Sequence, residues 1–149
     1  MTEEVIQERR KKAQEWLQRY GDAKCEVRRN EEEMAELVET QDDSRAAHFS
    51  KFPKRKGSLS DLSDYMIERE KARKNIRDAM QQNILVFEEV WNAINELDNA
   101  KEKEVLSYRY IRGMNWEQIC DKIGKSWSHT HRIHNKALDH IAELDTLNI

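Results

Sequence analysis

Apolar residues recur at three- and four-residue spacing along most of the chain. Ile6, Ala13, Trp16, Leu17 and Tyr20 fall on one helical stripe, and Gly21 follows as a predicted break. Val27, Met34, Leu37, Val38 and Gln41 repeat the pattern. Residues 1–41 therefore read as an N-terminal helical hairpin or coiled coil. Its second arm carries Glu31, Glu32, Glu33, Glu36 and Glu39, a run that suits a solvated face. The periodicity resumes at Asp61 and continues through Leu62, Met66, Arg69, Ile76, Met80, Asn83, Ile84, Phe87, Val90, Trp91, Ile94 and Leu97. It predicts one long helix over 61–97, roughly 54 Å at 1.5 Å per residue. A helix of that length needs a partner helix in a bundle or a dimer.

Beyond residue 97 the pattern shortens. Asp98 or Asn99 can cap a helix that runs through Val105 and Leu106 to Arg112, with Gly113 as its stop. Asn115 can cap the next, with Gln118 completing a capping box and Met114 and Ile119 at the hydrophobic-staple positions. Ile119, Cys120 and Ile123 then face inward. Gly124 offers the positive φ of a sharp turn, and Ser126 caps a further helix whose inward line is Thr130, Ile133, Ala137 and Ile141. Two helices joined by a short turn containing glycine form a helix-turn-helix. The fold expected is all-α, with that domain at 98–149.

Between the two halves the composition shifts. Residues 42–60 hold Pro53 and Gly57 around Lys54, Arg55 and Lys56, with Arg45 and Lys51 nearby. They read as a basic linker, either a solubilising segment or an arm able to follow a phosphate backbone. Four Gly and one Pro, against 37% charged residues, favour solvent-washed helices over sheets. The formal charge of −3 removes any argument from overall basicity, and residues 98–149 balance eight Lys/Arg against eight Asp/Glu. Cys25 and Cys120 do not make a disulfide framework, and the chain has no long apolar run or signal-peptide core. A cytoplasmic protein without membrane contact is expected.

Gly124-Lys125-Ser126 resembles the tail of a phosphate-binding loop, but that motif needs a glycine where Ile119 stands, and a preceding strand. The turn between helices fits instead. No metalloprotease motif and no nucleophile–base arrangement points to catalysis, so a non-enzymatic protein without cofactor is expected. His129, His131, His134 and His140 invite a metal reading, yet only His131 and His134 are spaced to share a metal ion, and no thiolate or carboxylate clearly completes the set. Surface imidazoles, or ones that attract phosphate when protonated, are the alternatives.

The segment "LDNAKEKEVLSYRYIRGMNWEQICDKIGKSWSHTHRIHNKAL", Leu97 to Leu138, resembles region 4 of bacterial sigma factors. The likeness rests on Glu104-Val105-Leu106, the Arg109-Tyr110 pair, Gly113, Glu117-Gln118-Ile119, Ile123-Gly124, Ser126, Ile133 and Ala137-Leu138. No sigma region 2 is visible upstream. The stretch "FPKRKGSLSDLSDY" is similar to small phage and prophage regulators, the late-gene activators of the ArpU and RinA types. This resemblance implies duplex DNA and host RNA polymerase as partners.

It also implies roles for individual side chains. A recognition helix enters the major groove with its leading outward residues. Here these are Trp127, Ser128, His131, Arg132 and Asn135, with Arg132 suited to a bidentate guanine contact and Asn135 to adenine. Trp127 stands where the family usually has a charge; it fits a thymine methyl or a wedge against the neighbouring helix. Lys122, Lys125, Arg109, Arg112 and Lys136 are candidates for phosphate contact. A homo-oligomer, a dimer first of all, would double those contacts. The reading is a DNA-binding transcriptional regulator. The competing ones are a small terminase subunit for DNA packaging and a polymerase-binding protein that reads no DNA.

Overall fold

The computed structural model describes residues 1–49 and 58–144. Helix α1 spans Glu3–Phe49 and α2 Ser58–Asn95; α3 covers Ala100–Leu106, α4 Trp116–Ile123 and α5 Trp127–Ala142. A π-helical turn, Ser107–Ile111, extends α3. The described residues contain no strand, so the architecture is all-α as the periodicity predicts.

Two expected boundaries are corrected. The chain does not break at Gly21, and residues 1–41 form no hairpin, because α1 runs through the glycine without interruption. A lone glycine costs a helix about 1 kcal/mol relative to alanine, and no proline or second breaker follows to finish the job. The segment assigned to a linker at 42–60 is also shorter than expected. Residues 42–49 continue α1, and 58–60 open α2. "DDSRAAHF" contains neither glycine nor proline, and its alanines favour propagation. The rest of that basic segment, with Lys51, Pro53, Lys54, Arg55 and Lys56, lies outside the described residues.

The chain divides into two compact units, Met1–Asp22 with Ile84–Ile149, and Ala23–Asn83. In the first, Ala13 and Leu17 of α1 are buried, as are Val86, Val90, Ala93 and Ile94 of α2. Arg19 pairs with Glu89 at 2.7 Å, and the Tyr20 ring meets Phe87 at 5.2 Å. Leu106, Ala137, Leu138 and Ile141 are buried in the same unit and join α3 to α5. Glu102, only 4% exposed, accepts a 2.6 Å hydrogen bond from His140 Nδ1, which ties the start of α3 to the end of α5. In the second unit Tyr65, Ala79 and Asn30 are buried, and the Asn30 amide donates to the Glu26 carbonyl at 3.0 Å.

Candidate nucleic-acid interface

Local chemistry fixes each end of the helices that matter. Asn99 caps α3, its side chain accepting from the Lys101 and Glu102 amides at 2.9 and 3.2 Å. The helix then widens. The Arg112 amide reaches back to the Ser107 carbonyl at 3.0 Å, the five-residue spacing of a π turn. Gly113, at φ 67°, ends it. The predicted capping box is present on α4: the Gln118 amide donates to Asn115 Oδ1 at 2.8 Å, and the Asn115 amide donates to Gln118 Oε1 at 3.1 Å. Gly124 takes the left-handed conformation, φ 64° and ψ 37°, and turns the chain. Ser126 Oγ then accepts from the His129 amide at 3.3 Å, opening α5. This is the helix-turn-helix.

Its core is Val105, Ile119 and Ile123, with Tyr108, Met114, Trp116 and Ile133 packed around them. Cys120 approaches Thr130, thiol to hydroxyl at 3.4 Å, so the sulfur serves close packing of α4 on α5. Thr130 is fully buried, and its hydroxyl donates to the Ser126 carbonyl at 2.9 Å.

The other face of α5 is open. Ser128, Arg132, Asn135 and Lys136 are all exposed on it. At about 100° per residue, Ser128, Arg132 and Asn135 fall on one line along the helix, with Lys136 at its border. Lys125 is exposed in the turn, Lys122 on the outer side of α4, and Arg112 at the end of the π turn, its guanidinium 5.3 Å over the Tyr108 ring. Arg109 is withdrawn from this set. It is half-buried, stacks 4.8 Å over Trp116 and donates to the Met114 carbonyl at 3.1 Å.

Trp127 and His131 form a separate, stacked group. Trp127 is 57% exposed and lies 4.4 Å from the His131 ring; His131 in turn lies 4.3 Å from Trp116. With Arg109 on Trp116, four side chains are stacked from the π turn to the start of α5. His131 Nδ1 bonds to the Trp127 carbonyl at 3.0 Å. The ladder presents the Trp127 ring at the leading edge of α5.

His134 is not a surface imidazole. It is 5% exposed, with Nε2 held 2.7 Å from the Tyr110 hydroxyl. Burial, then the neighbouring His131 and Arg109 charges, lower its pKa to about 4, so it is neutral near pH 7. It cannot take part in a protonation-driven attraction to phosphate. His140 is raised above the usual imidazole value by its hydrogen bond to Glu102. Its proton serves that pair.

Sequence reasoning missed the burial of His134, though a signal was present: it lies on the Thr130–Ala137–Ile141 line. The π turn, the stacking of Arg109 on Trp116 and the Glu102–His140 pair left no such local signal. Neither did the bidentate pair of Arg10 on α1 with Asp139 on α5, at 2.7 and 2.8 Å.

Among the described residues no helix is long and apolar enough to cross a membrane. Comparison with curated proteins and with solved structures returns no match. Residues 93–143 match the family model for Sigma-70, region 4. The last turn of α2 through the end of α5 is thus a sigma region 4-like helix-turn-helix domain, of DNA-binding type.

Proposed function

We propose that this protein is a sequence-specific transcriptional regulator that reads duplex DNA with α5. The observation that carries the reading is the exposed line Ser128–Arg132–Asn135 on a capped helix whose opposite face is buried. A helix so presented matches the major groove in diameter and offers its leading residues to the base edges. Arg132 supplies the fork for guanine, Asn135 an amide for adenine, and Ser128 a less selective contact. Trp127, held by the stack on His131 and Trp116, offers an apolar face to a thymine methyl. Lys122, Lys125, Lys136 and Arg112 provide backbone contacts around this line.

The resemblance to ArpU- and RinA-type activators supports a phage or prophage regulator that acts on late promoters with host RNA polymerase. The match to sigma region 4 supports polymerase as partner. No catalytic step belongs to this reading.

Footprinting on the promoter region of the element's own late genes tests it. Wild-type protein is expected to protect a discrete site. Arg132→Ala is expected to cost roughly 1–3 kcal/mol of affinity there and to relax the base preference at one position. Undiminished reporter output with Arg132→Ala would favour a polymerase-binding protein that reads no DNA. A ring of many subunits with no effect on a promoter would favour DNA packaging.

A further inference from the structure

The basic run Arg9-Arg10-Lys11-Lys12 lies far from the helix-turn-helix in sequence, yet the fold brings it to the end of α5. Arg9 Nη2 donates to the Ala142 carbonyl at 3.5 Å. Arg10 grips both oxygens of Asp139, at 2.7 and 2.8 Å. Ile6 and Arg9 line a shared cleft with Ala142 and Glu143. On α5, Asp139 stands off the buried line of Ala137, Leu138 and Ile141. It lies within about 20° of Arg132 around the helix and about 10 Å farther along the axis. It therefore belongs to the same face that presents Arg132 and Asn135. Arg9 and Arg10 of α1 reach Ala142 and Asp139 of α5, and Lys11, next in the chain, is exposed.

We propose that the Arg10–Lys11 edge of α1 is a second contact to the DNA sugar-phosphate backbone, flanking the helix-turn-helix. This rests on the reading of α5 as the helix that enters the groove. The major groove is about 8.5 Å deep. With Arg132 on base edges, a point about 10 Å farther along α5 stands where the helix leaves the groove, at the phosphate rim. A bare Asp139 carboxylate there would repel phosphate. The Arg10 guanidinium occupies both its oxygens and cancels that charge. Lys11, the residue after Arg10, adds an exposed positive charge, and among the described residues it has no ion-pair partner. Lys12 differs: it turns about 100° farther round α1 and pairs with Glu8 at 3.5 Å.

Backbone contacts are independent of base sequence, so a mixed-sequence duplex is a sufficient probe. The full chain is titrated by fluorescence anisotropy over a range of salt concentrations, with circular dichroism to confirm that each variant is helical. Lys11→Gln is expected to weaken binding several-fold at low salt and to lower the slope of log affinity against log salt by about one. Arg10→Ala is expected to weaken binding further by baring Asp139, and Arg10→Ala with Asp139→Asn to recover part of the loss. Lys12→Gln is expected to match wild type. A wild-type slope for Lys11→Gln overturns the proposal, as does an equal loss for Lys12→Gln, which would reduce the effect to net charge. If Lys136→Ala weakens binding while Lys11→Gln does not, only the α1 contact falls. If the wild-type chain fails to bind the duplex at low salt, the groove reading of α5 falls with it.

Discussion

His134 and His140 sit within two turns of each other on α5, and the fold sets their proton affinities apart. His134 is buried against Tyr110 and Trp116, where a cation would lose its water and gain only an aromatic edge and a phenol. Its pKa falls to about 4. Above the ordinary imidazole value of about 6.5 neither folded nor unfolded chain carries the proton; below it the unfolded chain binds one first. The stability linked to His134 is thus complete at neutral pH and drains away between about 6.5 and about 4, roughly 3 kcal/mol in all. His140 acts in the opposite sense. With its pKa raised by Glu102, its contribution is full below the ordinary imidazole value and is lost as pH rises through the folded value. Urea unfolding at a series of pH values separates the two. His134→Asn is expected to be less stable than wild type at pH 7 and to lose clearly less stability on acidification. Parallel pH curves for the two proteins would show that His134 is not the buried neutral group.

At the scale of the element, the turn between α4 and α5 shows why this part of the fold could be read from residues alone. Asn115, Gln118, Gly124 and Ser126 each act on a backbone group a few positions away, so their spacing carries the geometry. Gly124 is needed for its φ of 64° and not for room, since a Cβ there would meet nothing within 4 Å. Gly124→Ala should therefore cost about 1–2 kcal/mol of backbone strain, with no clash added. Gly124→Asn should cost less, because asparagine tolerates that region better, and chemical denaturation of the two variants checks the order. Gly21 misled for the converse reason. It lacks a capping partner and a following breaker, so its local preference yielded to helix on both sides. The open line on α5 was legible from its period, but the stack of Arg109, Trp116, His131 and Trp127 was not. It depends on the π turn, which shifts the residues after Ser107 out of the ordinary helical register. Arg10 and Asp139, at opposite ends of the chain, can be paired only once the tertiary fold exists.

For the whole molecule, the compact unit formed by Ala23–Asn83 poses a question of partnership. Its described residues bury little apolar surface, chiefly Tyr65 and Ala79, while Leu62, Met66, Ile67 and Met80 are 40%, 63%, 52% and 44% exposed. Leu62, Met66 and Met80 fall within about 40° of one another around α2 and make a second apolar line beside the buried one. Arg69 Nε and Asn83 Oδ1 are also buried there without a hydrogen-bond partner. Each such atom costs about 1–3 kcal/mol unless something satisfies it. A second copy of the chain laid along this line would cover the exposed methionines and double the DNA contacts of the regulator. Completing the burial of these three half-exposed side chains on each copy gains on the order of 5–9 kcal/mol, close to the cost of association. The expected dimer is therefore concentration-dependent and dissociates on dilution. Sedimentation equilibrium should show the mass of two chains at high protein concentration and of one at low. Met66→Glu with Met80→Glu should hold the protein at one chain throughout. It should also lower affinity for a two-half-site duplex while leaving binding to a single half-site intact. A double variant that sediments as wild type would place the self-contact, if any, on another surface.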